Sequence, residues 1–304
     1  MKIVKPKVEY WKQGENKFDH IAKCARVCYA SDRTTNNEKF VNGLVHNNHL
    51  SMLRHWSVYL NFTDCVAGIS LRIIREHFLN NPYCAVAYSN YNDICVSTNL
   101  QYYDYIREQL LNTYDFDIEQ YLTTEDDIKS LGKWTEDIIR YTMFVQTSID
   151  ISRELNRVSP NNIAEQSTRY VEQGSICQSH FYDITLDEVD CDLFGDCYDK
   201  DRNIIIPLLT TNDYKPVDIN DYLISCADCF RNYNRLLNSG FKKEDARKVL
   251  PLATTTKCVY TYSLKEWEHI LDLRLYGTTG RPHPDAKIIG ELIKKEFYNI
   301  GIEV

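Results

Sequence analysis

The run from Thr254 to Tyr262, TTTKCVYTY, is β-branched and aromatic almost throughout, and Ser263 follows it where a helix reaching to Leu275 takes over. Side chains branched at Cβ suit a pleated strand and lose rotamer freedom in a helix. A serine hydroxyl, in turn, accepts the unpaired N–H groups of a first helical turn. Other strands and helices follow along the chain. Trp56 to Phe62 alternates as a half-buried strand should, and residues 64–80 carry apolar positions at helical spacing. Ile94 to Ser97 is a brief strand before a helix over Asn99 to Asn112, and Tyr141 to Thr147 is a strand leading into the segment Ser152 to Tyr170. Helices are also expected over Lys17 to Ala30, Glu38 to His46, Lys129 to Arg140, Lys242 to Val249 and Asp285 to Tyr298. Ile219 to Leu237 is a further one, closed by Asn238-Ser239-Gly240 with glycine at the position that favours it. A short strand over Lys2 to Val8 opens the chain, Val171 to Phe181 is partly extended, and Asp187 to Asp201 reads as an acidic loop. No Pro/Gly/Ser linker divides the chain and no internal repeat stands out in the sequence. The expectation is one α/β (α+β) domain over residues 1–304, with a central, mostly antiparallel sheet flanked by helices and an insertion at about 63–142 carrying its own helices.

The 304 residues are enough for a substantial core. A 43% hydrophobic share with 12% aromatics, 22 of them Tyr, belongs to a globular chain rather than a disordered one. The net charge of −8 argues against generic binding of duplex nucleic acid, which needs many Lys and Arg contacts to phosphate. A small anionic ligand needs only one local arginine cluster. The start, MKIVKPKVEYWKQ, lacks an apolar core of the signal-peptide kind, and no stretch approaches a membrane span, so a cytoplasmic protein is expected. Eleven cysteines in such a chain suggest reduced thiols. Cys226 and Cys229 form a tight pair within a helix, and Cys191 and Cys197 do not have the spacing of a second zinc knuckle, so no metal is expected.

The segment Ser152 to Tyr170, SRELNRVSPNNIAEQSTRY, concentrates charge: Arg153, Glu154, Arg157, Glu165 and Arg169. Ser159-Pro160-Asn161-Asn162 breaks it, because proline cannot sit inside a helix and the asparagines favour turns. Arg153 and Arg157 share a helix face, and Ser167 and Arg169 point the same way if their stretch is extended. Convergent guanidinium groups with a hydroxyl and a carboxylate suit a phosphorylated ligand that also offers ring donors. The alternative is a solvated, salt-bridged helix end. Arg274 on its Leu-rich helix and Arg247 three residues after Glu244 have equally plain readings as ion pairs.

Three segments taken together are more specific. His49-x-Ser51-x-x-x-His55 before a strand, Arg157 through Glu165-Gln166-Ser167-Thr168-Arg169-Tyr170, and Ala246-Arg247-Lys248-Val249-Leu250-Pro251-Leu252 followed by Leu271-Asp272-Leu273-Arg274 resemble the flavin-dependent thymidylate synthases. The resemblance covers roughly residues 15–62 and 143–298, and residues 63–142 resemble the insertion of longer bacterial members. It implies an FAD enzyme that converts dUMP to dTMP with methylenetetrahydrofolate as carbon donor and NADPH as reductant. It also implies a homotetramer whose sites form where subunits meet. The implied dUMP contacts are Glu154, Arg157, Glu165, Gln166, Ser167, Thr168, Arg169, Arg247 and Arg274. The implied flavin contacts are His49, Ser51, Arg157, Val158, Ser159, Glu165, Ser263, Leu264, Lys265 and His269. His283 resembles a position near the last helix, and His55 is expected to stabilise its loop. The family signature opens Arg-His-Arg, whereas this chain has Arg157-Val158-Ser159. Valine donates no hydrogen bond and serine carries no charge, so the change implies weakened flavin binding.

On this resemblance Arg274 is the catalytic group, a fixed cation for charge that gathers on the N3/O4 side of uracil when C5 becomes nucleophilic. Arg169 and Arg247 are placed to take the phosphate. Ser167 has no His/Asp partner to activate it and is expected to hydrogen-bond substrate. Two other readings stand beside this one. Val158 and Ser159 suit a catalytically impaired or altered-chemistry pyrimidine-nucleotide-binding relative, and the many tyrosines suit stacking on RNA, which the acidic balance opposes.

Overall fold

The computed structural model describes residues 2–30, 36–62, 69–89, 93–158, 162–177, 182–184, 204–206 and 219–304. Its first half runs β1 (Lys2–Val4), β2 (Lys7–Tyr10), α1 (Lys17–Tyr29), α2 (Asn37–His46), a 3-10 turn (Leu50–His55), β3 (Ser57–Asn61) and α3 (Ile69–Ile74), which continues as a π turn (Arg75–Leu79). Then come β4 (Ala85–Tyr88), β5 (Ile94–Asn99), α4 (Leu100–Tyr114), β6 (Leu122–Thr123), α5 (Glu125–Ser130) and a 3-10 turn (Lys133–Ile138). The second half has β7 (Arg140–Ser148), α6 (Ile149–Asn156), β8 (Ile163–Glu165), β9 (Ser175–Cys177), β10 (Tyr182–Ile184), β11 (Ile204–Ile206), α7 (Ile219–Asn238) and α8 (Lys243–Ala246), followed by a 3-10 turn (Arg247–Val249). It ends with β12 (Thr255–Ser263), α9 (Leu264–Leu271), a π turn (Asp272–Tyr276) and α10 (Pro284–Asn299).

The α+β class is as expected, with the antiparallel framework divided into two four-stranded sheets, β2-β7-β12-β8 and β6-β3-β5-β4. Three strands of each sheet, β7-β12-β8 and β3-β5-β4, repeat one another in order and register, although no repeat stands out in the sequence; the fourth does not, since β2 precedes its sheet's other strands in the chain and β6 follows them. Asn99 faces Ser57 across the β5–β3 pair, and Ser263 faces Arg140 across the β12–β7 pair; each facing residue is the first of its strand. Val86, Ala87 and Tyr88 lie beside Val96, Cys95 and Ile94, just as Ile163, Ala164 and Glu165 lie beside Tyr260, Val259 and Cys258. Residues 69–139 therefore contribute strands as well as helices.

Several boundaries differ from expectation. The opening strand is interrupted between β1 and β2, and the polar connection before β3 winds into a 3-10 turn. The helix expected over Lys129 to Arg140 is instead the end of α5, a turn at Gly132 (φ 107°) and a 3-10 segment, and Arg140 already belongs to β7. That φ is open to glycine and costly for other residues. Residues 168–170 form a turn, so Ser167 and Arg169 do not share the face of an extended strand. The acidic loop expected over 187–201, with Cys191 and Cys197, lies outside the described residues.

One core cluster draws on both sheets, joining Tyr59, Ala87 and Cys95 to Tyr141, Met143, Tyr260, Tyr262, Trp267 and Phe297. A second packs α4 and the π turn Arg75–Leu79 on the other face of β5, through Phe78, Tyr103, Ile106, Ile94 and Val96. A buried polar chain links α1 to the 3-10 turn Leu50–His55 across β7 and β12. His20 Nε2 lies 3.2 Å from Thr142 Oγ1, which lies 2.9 Å from Thr261 Oγ1, which lies 2.9 Å from His55 Nδ1. His55 thus anchors its turn to the central strand. No helix among the described residues is long and apolar enough to cross a membrane.

Candidate active site

Glu165 ends β8, and its carboxylate is fixed from three directions. Ser152 Oγ donates to Oε1 at 2.9 Å, Thr256 Oγ1 donates to the same oxygen at 3.0 Å, and Asn156 Nδ2 donates to Oε2 at 3.3 Å. Asn156 is itself oriented by the Tyr260 hydroxyl, which donates to its Oδ1 at 2.9 Å. These donors come from α6 and β12, and Thr256 lies far away in sequence. Burial and the Glu165 charge together push the nearby Cys258 thiol well above its ordinary value, and the same two causes raise Cys28 to about 11. Both thiols are therefore poor nucleophiles.

Arg274 projects from the π turn after α9 onto α6. Its Nη1 lies 2.8 Å from Glu154 Oε2, and its Nη2 donates to the Glu154 carbonyl at 2.7 Å. The pair is mostly enclosed, with the Arg274 side chain 17% exposed, rather than a surface ion pair. Arg274 Nε is buried with no hydrogen-bond partner. Arg157 approaches the other Glu154 oxygen at 3.4 Å while its side chain is 73% exposed, and Arg153 is exposed on the same helix.

A third group forms where the Ser167–Tyr170 turn meets α8. Arg247 Nη1 donates to Thr168 Oγ1 at 2.7 Å, and its Nε donates to the Glu244 carbonyl. The Glu244 carboxylate pairs with Arg169 at 3.1 Å, so the ion pair belongs to Arg169 and not to Arg247. Ser167 is held by its backbone N–H, donated to the Cys28 carbonyl, and Gln166 by its own, donated to Lys257.

The remaining expected residues divide. Val158, Ser263, Lys265 and His269 line one pocket of about 770 Å³ together with Leu79, Pro82, β4 and Trp134. Lys265 and His269 are exposed there, on the solvent side of α9, and Lys265 lies near enough to Glu268 to act on its charge. Ser263 caps α9 in a capping box with Glu266, as its position suggested. Val158 packs against the two-sheet core, so an apolar contact stands where the family signature has a histidine. The Leu264 side chain is buried in that same core and offers only backbone to a ligand. His49 and Ser51 sit exposed at the start of the 3-10 turn and do not line this pocket, and Ser159 lies outside the described residues. His283 caps α10, its Nδ1 accepting from Asp285 N–H. Among the described residues no group of His, Cys, Asp and Glu is placed to hold a metal. Sequence reasoning missed Thr256 and Asn156 as partners of Glu165 and missed Trp134 and Tyr88 beside the pocket; only Asn156 lies near the recognised motif.

The profile of the thymidylate synthase complementing protein family matches residues 135–300, which include every candidate residue except His49 and Ser51. The chain belongs to that family, the flavin-dependent thymidylate synthases. A probable flavin-dependent thymidylate synthase of Paramecium bursaria Chlorella virus 1 is 39% identical over 70 residues, 23% of this chain and 32% of that protein. The matched portion is thus about a third of that relative's length. Among solved structures, the UMP/dUMP methylase PolB from Streptomyces cacaoi bound with 5-Br dUMP is similar at 15% identity and a TM-score of 0.43, covering 98% of this chain and 93% of that one. Its complex with 5-Br UMP gives a TM-score of 0.44 at 15% identity, covering 98% and 92%.

Proposed function

We propose that this chain is an FAD-dependent enzyme that methylates dUMP to dTMP, taking the carbon from methylenetetrahydrofolate and the reducing equivalents from NADPH. The observation that carries the reading is the gathering of Val158, Ser263, Lys265 and His269 on one pocket, within a chain whose second half matches the family. The residues fit a flavin. The pocket has the size of a cofactor site, Lys265 and His269 offer donors to a diphosphate on a lining that also carries the Asp137 and Glu266 carboxylates, and Val158 and Trp134 offer apolar surface to a ring.

Ser263, Lys265 and His269 would hold the flavin with Val158 against it, and Leu264 would contribute backbone only. A reduced flavin bound there supplies the hydride that no side chain can. The nucleotide would lie toward Glu154, Glu165 and Arg274. Glu165 is fixed by its three donors and has acceptor capacity left for a ring N–H or a ribose hydroxyl. Arg274 has an unpartnered Nε and would stabilise charge on the uracil carbonyl as C5 becomes nucleophilic. Arg169 and Arg247 would take the phosphate with Ser167, Thr168 and Gln166 beside them, and the phosphate would replace the Glu244 carboxylate at Arg169. Arg157 is free to swing, being exposed beyond its long contact to Glu154.

His49 and Ser51 would reach a flavin from a neighbouring subunit of a homotetramer, because their own chain does not bring them to the pocket. We place the protein in the cytoplasm, with residues 63–142 as the insertion of a single domain. Val158 favours a second reading, a relative that binds pyrimidine nucleotide with weakened flavin affinity, because its side chain is committed to the core. Incubation with dUMP tritiated at C5, folate donor, NADPH and added FAD separates them. Tritium release with dTMP formation supports the enzyme, and dUMP binding without either supports the impaired relative.

A further inference from the structure

The two sheet units carry the same pocket at the same helix positions. In the second unit the cap of α9, Ser263, and Lys265, Glu266 and His269 line it; in the first, the cap of α4, Asn99, and Gln101, Tyr102 and Tyr105 line a pocket of about 470 Å³. Helix packing repeats as well, since Leu264, Trp267 and Ile270 of α9 correspond to Leu100, Tyr103 and Ile106 of α4. The charged set does not repeat. Counted from the caps, buried Leu110 stands where the second unit has Arg274, and by strand register Tyr88 stands where it has Glu165. The first unit thus keeps the architecture of a ring-binding site without counterparts of Glu165 and Arg274, and the guanidinium that lines its pocket, Arg54, comes from the 3-10 turn Leu50–His55.

Its edge strand β4 instead turns onto the second unit's pocket. Val86 and Tyr88 line that pocket with Trp134, which comes from the 3-10 turn leading into β7. Trp134 is held in place by its indole N–H, which donates to the Leu131 carbonyl at 3.0 Å. Tyr88 is 47% exposed, a large aromatic surface left open on the same pocket as Lys265 and His269.

We infer that the first sheet unit is the wall of the flavin pocket, with Trp134 and Tyr88 the aromatic surface against which the flavin ring system packs. This rests on the cofactor reading above. The wall takes over ring contact that Val158 cannot supply by hydrogen bonding. Removing one aromatic face from a stacked heterocycle costs roughly tenfold in affinity or more, and an indole in contact with a flavin quenches its emission by electron transfer.

Purified protein and its Trp134→Ala, Trp134→Phe and Tyr88→Ala variants are titrated with FAD, following flavin emission and dissociation constant, with dUMP binding measured on each. The wall predicts an FAD affinity about tenfold weaker in W134A. It also predicts brighter bound flavin in W134A and W134F, weaker binding in Y88A, and dUMP affinity unchanged throughout. Tyr88 is exposed, so Y88A gives an answer even if the tryptophan variants fold poorly. Wild-type affinity and equal emission in all three variants would overturn the wall and leave the cofactor reading intact. Wild-type protein that takes up no FAD would overturn the cofactor reading itself.

Discussion

Arg274 and Glu154 are joined twice, by the guanidinium–carboxylate contact at 2.8 Å and by a hydrogen bond from Nη2 to the Glu154 carbonyl at 2.7 Å. The second bond ties the π turn to the backbone of α6, so Arg274 is held in place whether or not Glu154 is ionised. On the proposed mechanism Arg274→Ala lowers kcat by about 100-fold or more, the scale of losing one fixed donor to developing charge. Arg274→Lys keeps the charge but not the fork and falls between. Steady-state kinetics with dUMP check this, and a loss under about threefold in the alanine variant would take Arg274 out of the reacting face.

Glu165→Gln tests the three-donor cradle. Two hydroxyls converge on Oε1, and an amide carbonyl can still accept from both. The new NH2 group would then meet Asn156 Nδ2, donor against donor, unless Asn156 flips and the Tyr260 hydroxyl turns from donor to acceptor. The expected cost is about 1–3 kcal/mol in urea unfolding, with dUMP affinity reduced. A variant as stable as wild type would mean that Asn156 is free to turn.

The buried histidines predict acid sensitivity. Burial lowers His55 from 6.5 to about 3, with His20, Arg140 and Arg54 adding to the effect. Burial, with Lys23 adding, lowers His20 from 6.5 to about 4. Both are neutral in the fold, so as pH falls below 6.5 the unfolded chain takes up protons that the folded chain refuses. Stability is therefore full above that pH, is lost as pH falls toward the folded values, and levels off below them. Urea midpoints at about pH 7.5 and about pH 5 should show the decline, and His55→Gln should flatten it. An equally steep decline in that variant would assign the acid sensitivity elsewhere.

Gly290 on α10 lies where a Cβ would come within 2.9 Å of Leu275 Cβ, beside Arg274 on the π turn. Gly290→Ala must displace the turn or the helix. Overpacking of this kind costs about 1–3 kcal/mol, and it should lower kcat as well as the thermal midpoint because the displaced turn carries Arg274. Full activity with reduced stability would show that the turn yields without moving its arginine.

Much of this arrangement was legible in the chain. The strand Thr255–Ser263, its serine cap and the helices around it follow from β-branching, capping chemistry and apolar spacing, all of them local signals. Glu165 and Arg274 were visible as members of a recognisable pattern. Their partners were not, because the bond from Thr256 to Glu165 is set by strand register and that from Arg274 to Glu154 by packing of a π turn on α6. The repeat of the two sheets was hidden for a related reason. It survives in strand order and apolar helix positions, while the residues that make a site diverge, as Tyr88 does from Glu165. Lys129 to Arg140 has helical periodicity, but Gly132 redirects the backbone within it.

The most direct test is the visible absorption of the purified protein before and after incubation with FAD and removal of the excess. The account predicts a retained flavin spectrum approaching one flavin per chain, weakened by Arg157→Ala and strengthened when Val158 and Ser159 are replaced by His and Arg. A protein that stays colourless in excess FAD would contradict it.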